Sequence, residues 1–135
     1  MTKTAINQLA YEIVSCAIEV HKTLGPGLLE SIYEEALHFE LTSRGYLVRR
    51  QVHVPVIYKD NAIKNPLRID LFVENSVIVE VKATEGYHPI HKAQTLTYMK
   101  LGQIAKGLLI NFNVLNIVKE GLTPLVNEYF EKLPA

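Results

Sequence analysis

The period of the hydrophobic pattern changes three times along this chain, and each change dictates a change of secondary structure. Over residues 5–24, Ile6, Leu9, Ala10, Ile13, Val14, Ala17, Ile18 and His21 recur at three- and four-residue steps, which describes an amphipathic helix with one buried stripe. Gly25-Pro26-Gly27 ends it, because proline disfavours helical geometry in the residue before it and glycine permits a sharp turn. A second helix is expected over about residues 28–44, with Leu29, Ile32, Tyr33, Ala36, Leu37 and Leu41 facing inward and Gly45 as its stop.

From Leu47 the period falls to two. Residues 47–54 are rich in β-branched side chains, Pro55 interrupts them, and residues 56–59 read as a continuation. Lys59-Asp60-Asn61 has turn chemistry and Asn65-Pro66 opens the next strand. That strand, residues 67–73, places Leu67, Ile69, Leu71 and Val73 on one face and Arg68, Asp70 and Phe72 on the other. Residues 77–83 place Val77, Val79, Val81 and Ala83 on one face, opposite Ile78, Glu80 and Lys82. The helical period returns over about residues 90–104. A short apolar strand follows at 107–112 and a last strand is expected at 114–118, with a weakly patterned tail from Gly121. Two helices, a run of strands, a helix and closing strands make one α/β or α+β domain over residues 1–135.

Charge is distributed unevenly within a formal total of zero. Residues 1–43 carry two lysines against six glutamates, residues 44–68 carry six basic residues against Asp60, and the remainder carries six lysines against seven acids. A chain coated in basic charge is thereby excluded, although the middle is locally basic. Cys16 stands alone, which excludes an internal disulfide and a cysteine-based zinc site, and its place in the first helical stripe assigns it to packing. The start of the chain does not read as a signal peptide, and no apolar run reaches the ~20 residues that span a bilayer. The expectation is a cytoplasmic protein with no membrane partner.

The strongest local anomaly is a group of charged residues inside strands. If Glu74-Asn75-Ser76 is a three-residue loop, Val73 pairs with Val77, and counting back sets Asp70 opposite Glu80 on a face shared with Lys82. A two-residue loop would send the acids to opposite faces. Two adjacent carboxylates repel unless something positive lies between them. Lys82 as a salt-bridge partner is one solution. A hard divalent cation is the other, since Mg²⁺ takes oxygen ligands and uses one or two carboxylates with several waters. Glu30 and Glu34, one helical turn apart beside Tyr33, fit either a solvated acidic flank or a cation held against that face.

Asp70, a ten-residue spacing and Glu80-Val81-Lys82 resemble the active-site core of the PD-(D/E)XK nuclease superfamily. Gly27-Leu28-Leu29-Glu30-Ser31-Ile32-Tyr33 reads G-x-x-E-x-x-Y, the pattern that names the GxxExxY family within that superfamily. Residues 93–101 and 107–112 are similar to that family as well, in the same order. The resemblance implies a restriction-endonuclease-like α/β core: a mixed central sheet flanked by helices, in the order αβββαβ with an extra N-terminal helix. It implies Mg²⁺ or Mn²⁺ held by Asp70, Glu80, the Val81 carbonyl and Glu30. Lys82 would position the water or the scissile phosphate, and Gln94 would take the place of the glutamine that follows the E-x-K strand in related nucleases. The implied reaction is metal-dependent hydrolysis of nucleic acid, DNA above all, by an activated water.

Basic groups for the phosphate backbone are available in Arg49, Arg50 and Arg68, with Lys92 and Tyr98 on the third helix. The small size of the domain fits a homodimer. Three readings stay open: a nuclease, a catalytically silent nucleic-acid-binding or assembly module on the same fold, and metal-dependent chemistry on another phosphoester such as RNA. P-loop and Rossmann fingerprints are absent from the sequence. His88 and His91, spaced H-x-x-H beside Pro89, are expected as surface residues rather than as a metal pair.

Overall fold

The structure, a computed structural model, describes residues 1–64 and 66–135. Asn65, expected to open a strand with Pro66, lies outside the described residues. The chain runs α1 (Lys3–Leu24), α2 (Glu30–Ser43), β1 (Val48–Val54), β2 (Ile57–Tyr58), β3 (Asn61–Ala62), β4 (Leu67–Val73), β5 (Val77–Lys82), α3 (Pro89–Gly102), β6 (Lys106–Asn111), β7 (Leu122–Val126) and α4 (Glu128–Glu131). A five-stranded sheet has the order β1-β4-β5-β6-β7, with β5 and β6 parallel and the other neighbours antiparallel. The crossover between the parallel strands is α3, as a parallel pair requires. This is the restriction-endonuclease-like α/β arrangement, a mixed sheet flanked by helices, with α1 as the additional N-terminal helix.

One core joins α1 and α2 to Leu71, Val73, Val77, Val79, Val81, Leu108 and Ile110 of the sheet. A second, smaller core gathers Ile69, Phe72, Ile78 and Leu125 with Met99 of α3. In α1 the buried stripe is Ile6, Leu9, Ala10, Ile13, Cys16, Ala17 and Val20. It follows a seven-residue phase, so Cys16 and Val20 enter the core while Ile18, expected inside, stays exposed. Burial pushes the Cys16 thiol up to about 11, as an inert packing residue requires. In α2 the expected stripe holds at Tyr33, Leu37 and Leu41, but Leu29 and Ile32 are exposed and Glu34 is buried instead.

Three further expectations are corrected. Residues 56–59 do not continue β1, because β2 and β3 form a separate two-stranded hairpin around Lys59 and Asp60, both in the left-handed region. Residues 114–118 are not the last strand: a π-helical turn occupies Ile117–Gly121 and the strand is β7. Pro124 hides that strand from a reading of sequence, and its place at the sheet edge is where a ladder tolerates proline. The alternation in β4 also slips. Leu71 and Val73 face the first core as expected, whereas Leu67 and Ile69 pack with the second. The slip falls at Asp70, opposite Gln51, whose φ of 51° interrupts the extended geometry of β1.

A tight acid pair at the open end of the central hairpin

The β4–β5 hairpin has the three-residue loop that its sequence implies. Val73 pairs with Val77, Phe72 with Ile78 and Leu71 with Val79. Glu74 and Asn75 both adopt positive φ, and the Ser76 amide closes the turn on the Val73 carbonyl at 2.9 Å. One step further the side chains of the acid pair take over from the ladder. The Asp70 amide donates to Glu80 Oε2 at 3.2 Å, and the Val81 amide donates to Asp70 Oδ2 at 2.9 Å. Each carboxylate therefore binds backbone of the opposite strand, and the two acids are interlocked.

Glu80 is buried, with 5% of its surface exposed. Its carboxyl is pushed up to about 9, first by burial and then by the Asp70 charge, with Lys82 pulling weakly the other way. Lys82, half-buried two residues along the strand, makes no ion pair among the described residues. The structural alternative, a lysine closing the gap between the acids, is therefore not realised. Glu30 is the first residue of α2, exposed at the helix N-terminus, where the helix dipole suits a carboxylate. Partial desolvation raises its pKa, the Lys82 charge lowers it, and Asp70 and Glu34 raise it, so Glu30 lies within electrostatic range of Asp70 and Lys82.

The G-x-x-E-x-x-Y pattern has a local structural explanation. Gly27 sits at φ 100°, and the Tyr33 hydroxyl accepts from the Leu28 amide at 3.1 Å and donates to the Gly25 carbonyl at 2.5 Å. The fully buried Tyr33 ring stacks on Phe112 with centroids 4.7 Å apart. Tyr33 thus pins the glycine turn to the core and fixes where α2, and with it Glu30, begins. Its partners are the turn backbone and not the Glu30 carboxylate.

The remaining candidates are placed as follows. Gln94 donates to the Tyr98 hydroxyl at 2.7 Å on α3. The Tyr98 hydroxyl is pushed up first by burial and then by Glu80, with Asp70 adding, so Tyr98 lies within electrostatic range of both acids. Val81 is buried, one residue before the end of β5. Arg50 is committed: its Nε and Nη2 donate to Glu34 Oε2 at 3.3 and 3.0 Å, and Gln51 donates to Glu34 Oε1 at 2.9 Å. Arg49 lies at the other end of the hairpin, 2.8 Å from Asn75 Oδ1 and over the Phe72 ring. Arg68 and Lys92 are exposed. The role of Glu34 as the anchor of Arg50 was missed from sequence, because nothing local to either residue announces a contact between α2 and β1.

The donor set at Asp70 and Glu80 is all oxygen, which suits Mg²⁺ or Mn²⁺ rather than a soft metal. No group of three or more His, Cys, Asp and Glu side chains is placed to hold a metal ion among the described residues. The arrangement is therefore a two-carboxylate site with Glu30 at its margin. That number is compatible with Mg²⁺, which completes its shell with water and phosphate. No helix among the described residues is long and apolar enough to cross a membrane.

Comparison with known proteins adds one finding. No curated protein and no solved structure matches the chain. A profile of the PD-(D/E)XK nuclease superfamily matches residues 7–123, a span that contains Glu30, Asp70, the Glu80-Val81-Lys82 strand and Gln94. With that match across most of its length, and with the mixed sheet that carries these residues, the chain belongs to the PD-(D/E)XK nuclease superfamily.

Proposed function

We propose that this protein is a divalent-cation-dependent nuclease of the GxxExxY group, acting on DNA. The observation that carries the reading is the interlocked pair of half-buried Asp70 and buried Glu80, adjacent and, among the described residues, without an ion-paired cation. Such a pair is unfavourable by itself, and a bound cation resolves it. Asp70 and Glu80 are the residues that would hold Mg²⁺ or Mn²⁺, with the Val81 carbonyl as a third oxygen. When bound, the ion would lower the pKa of a coordinated water and offset phosphate charge.

The protein groups have separate tasks. Backbone bonds from Asp70 and Val81 fix the carboxylates before any ligand arrives, which limits reorganisation on binding. Lys82 keeps a free ammonium beside them for a phosphate oxygen. Glu30 supplies negative charge at the margin of the site from the start of α2. Gln94 and Tyr98, bonded to each other on α3, are the polar groups that helix offers toward a bound strand. Arg68 and Lys92 are free to meet the flanking backbone, whereas Arg50 is held by Glu34.

The test compares wild type with Asp70→Ala and Lys82→Ala on single- and double-stranded DNA and RNA, with Mg²⁺ or Mn²⁺ and with chelator. Metal-dependent cleavage of DNA that both substitutions abolish is the expected result. Cleavage that survives both would remove the chemistry from this site. Nucleic-acid binding with no cleavage and no metal uptake would establish the silent binding module instead.

A further inference from the structure

Beside Lys82, the one motif residue it touches, lies a small cavity to which the nuclease assignment gives no role. Its volume is about 30 Å³ and its walls include Lys82, Thr84, His88, His91, Asn111 and Glu120. That volume holds a few ordered atoms, and excludes a base or a sugar ring. Neither Asp70 nor Glu80 contributes to the wall.

The polar groups of the cavity divide into committed and free. Asn111 is spent: its Oδ1 accepts from the Thr84 and Asn113 amides, and its Nδ2 donates to the Thr84 carbonyl at 2.9 Å. His88 holds the Glu85 carbonyl through Nε2 at 2.7 Å. The Glu120 carboxylate accepts from the Asn116 amide at 2.8 Å. The Thr84 hydroxyl is different. Its Oγ1 is buried and is the one buried side-chain polar atom without a hydrogen-bond partner among the described residues. Buried hydroxyls are seldom left so, and an unsatisfied one calls for a ligand.

The surroundings state the charge of that ligand. Lys82 lines the cavity and has no ion pair among the described residues. His91, whose ring centroid lies 5.1 Å from that of His88, has its pKa lowered by burial, by Lys82 and by His88, so its environment carries a surplus of positive potential. The start of α3 borders the cavity through His88 and His91; Pro89 has no amide proton and the His91 amide is already bonded to the His88 carbonyl at 3.0 Å, so the 14-residue helix contributes its dipole rather than free donors. A helix start, a free ammonium, an imidazole and an orphan hydroxyl are the elements of an oxyanion site. A transition metal is the weaker fit, because His88, His91 and Glu120 form no metal-holding group.

We infer that this cavity seats one phosphate group of the nucleic-acid strand, neighbouring the phosphate that is cleaved. The inference rests on the nuclease reading for the strand, and on the cavity alone for the phosphate. Lys82 is shared by the two sites. It stands two strand residues, about 6.6 Å, from Glu80, which lets a single strand engage the acid pair and the cavity together. Glu120 opposes the anion and sets the affinity low, as a substrate subsite needs for release.

The test uses the metal-free full chain in chelator, observed by ¹⁵N NMR at the Thr84, His88 and His91 amides. Inorganic phosphate is the first probe and a short DNA oligonucleotide the second. Both are expected to shift the same three amides with saturation. Thr84→Val and His91→Gln each weaken both probes by about tenfold, the scale of one charge-assisted hydrogen bond. Glu120→Gln tightens them. Thr84→Val also removes an unsatisfied buried hydroxyl at constant shape, so it keeps or raises the melting temperature and a loss of affinity cannot be blamed on misfolding. Phosphate without effect on these amides, or shifts unchanged in both variants, would overturn the site. Phosphate shifts that the oligonucleotide does not reproduce would make it a free-phosphate site and overturn the link to the strand. Asp70→Asn separates the two readings: it abolishes cleavage and leaves the phosphate shifts intact, whereas persistent cleavage would remove the nuclease assignment of the acid pair without touching the cavity.

Discussion

Glu34 and Glu80 are buried almost equally, at 7% and 5% exposed, yet their surroundings are opposite. Glu34 receives three hydrogen bonds, two from the Arg50 guanidinium and one from Gln51. Glu80 receives one backbone amide and faces another carboxylate. Burial alone therefore says little about the purpose of a buried acid, and its partners say most. Glu34 is complete within the protein and ties α2 to β1. Glu80 is left short of positive charge, as a ligand waiting for a cation would be. The tie at Glu34 also explains Gln51. Consecutive strand residues point to opposite faces, but the left-handed Gln51 lets both it and Arg50 reach one carboxylate. The strain of that conformation, about 1–2 kcal/mol, is offset by the bonds it permits.

Neutralising each acid in turn breaks the comparison. Glu80→Gln should reduce metal-dependent cleavage by at least ~100-fold, since loss of even a supporting partner at a metal site costs 10- to 100-fold. The same substitution should leave the metal-free protein at least as stable, because it removes a carboxyl whose ionisation the folded site disfavours and the unfolded chain allows. Parallel cleavage assays and thermal melts in chelator check both halves. Glu34→Ala should do the reverse in stability: about 2 kcal/mol lost, less than for a fully buried pair because Arg50 is 37% exposed on its side chain. Urea denaturation measures it. A Glu34→Ala protein as stable as wild type would show that the two acids do not differ in kind.

The pH dependence sharpens the contrast. In the metal-free protein the Glu80 carboxyl sits above its unfolded value of 4.5, so the folded state holds a proton that the unfolded state releases. Its contribution to stability is then fully present below about 4.5 and is lost as pH rises towards about 9. The slope attributable to this one proton is at most ~1.4 kcal/mol per pH unit. Denaturation at several pH values in chelator should show the decline, and Glu80→Gln should flatten it. Cation binding displaces the same proton, so metal affinity should rise with pH over the same window. An affinity independent of pH would place the cation elsewhere.

What the sequence revealed about these regions follows from how local each constraint is. The Asp70–Glu80 juxtaposition rests on a three-residue loop and on strand alternation across ten residues, so counting was enough to find it. The seven-residue stripe of α1 was blurred by the apolar but exposed Ile18, and β7 was concealed by Pro124. Glu34–Arg50 joins residues 16 apart on different elements, and Arg50 alone reads as a surface cation. The cavity beside Lys82 unites β5, the α3 start, β6, the π-helical turn and β7, segments whose approach only the tertiary fold produces. Residues whose partners lie on the same hairpin were legible, and residues whose partners arrive by packing were not.

The smallest expected effect concerns the turn that sets Glu30. Tyr33→Phe keeps the ring stacked on Phe112 but removes the hydroxyl that joins the Gly25 carbonyl to the Leu28 amide. The loss should be about 1 kcal/mol, the net worth of such hydrogen bonds, seen as a melting temperature lower by about 4 °C in a domain of this size. Glu30 begins the helix that this turn launches, so cleavage should fall by a few-fold while metal affinity at Asp70 and Glu80 holds. Those two carboxylates are fixed by strand backbone and not by α2. If Tyr33→Phe instead abolished metal binding with no change in melting temperature, the hydroxyl would belong to the acid site, and the division between acids that hold the fold and acids that await a cation would have to be redrawn.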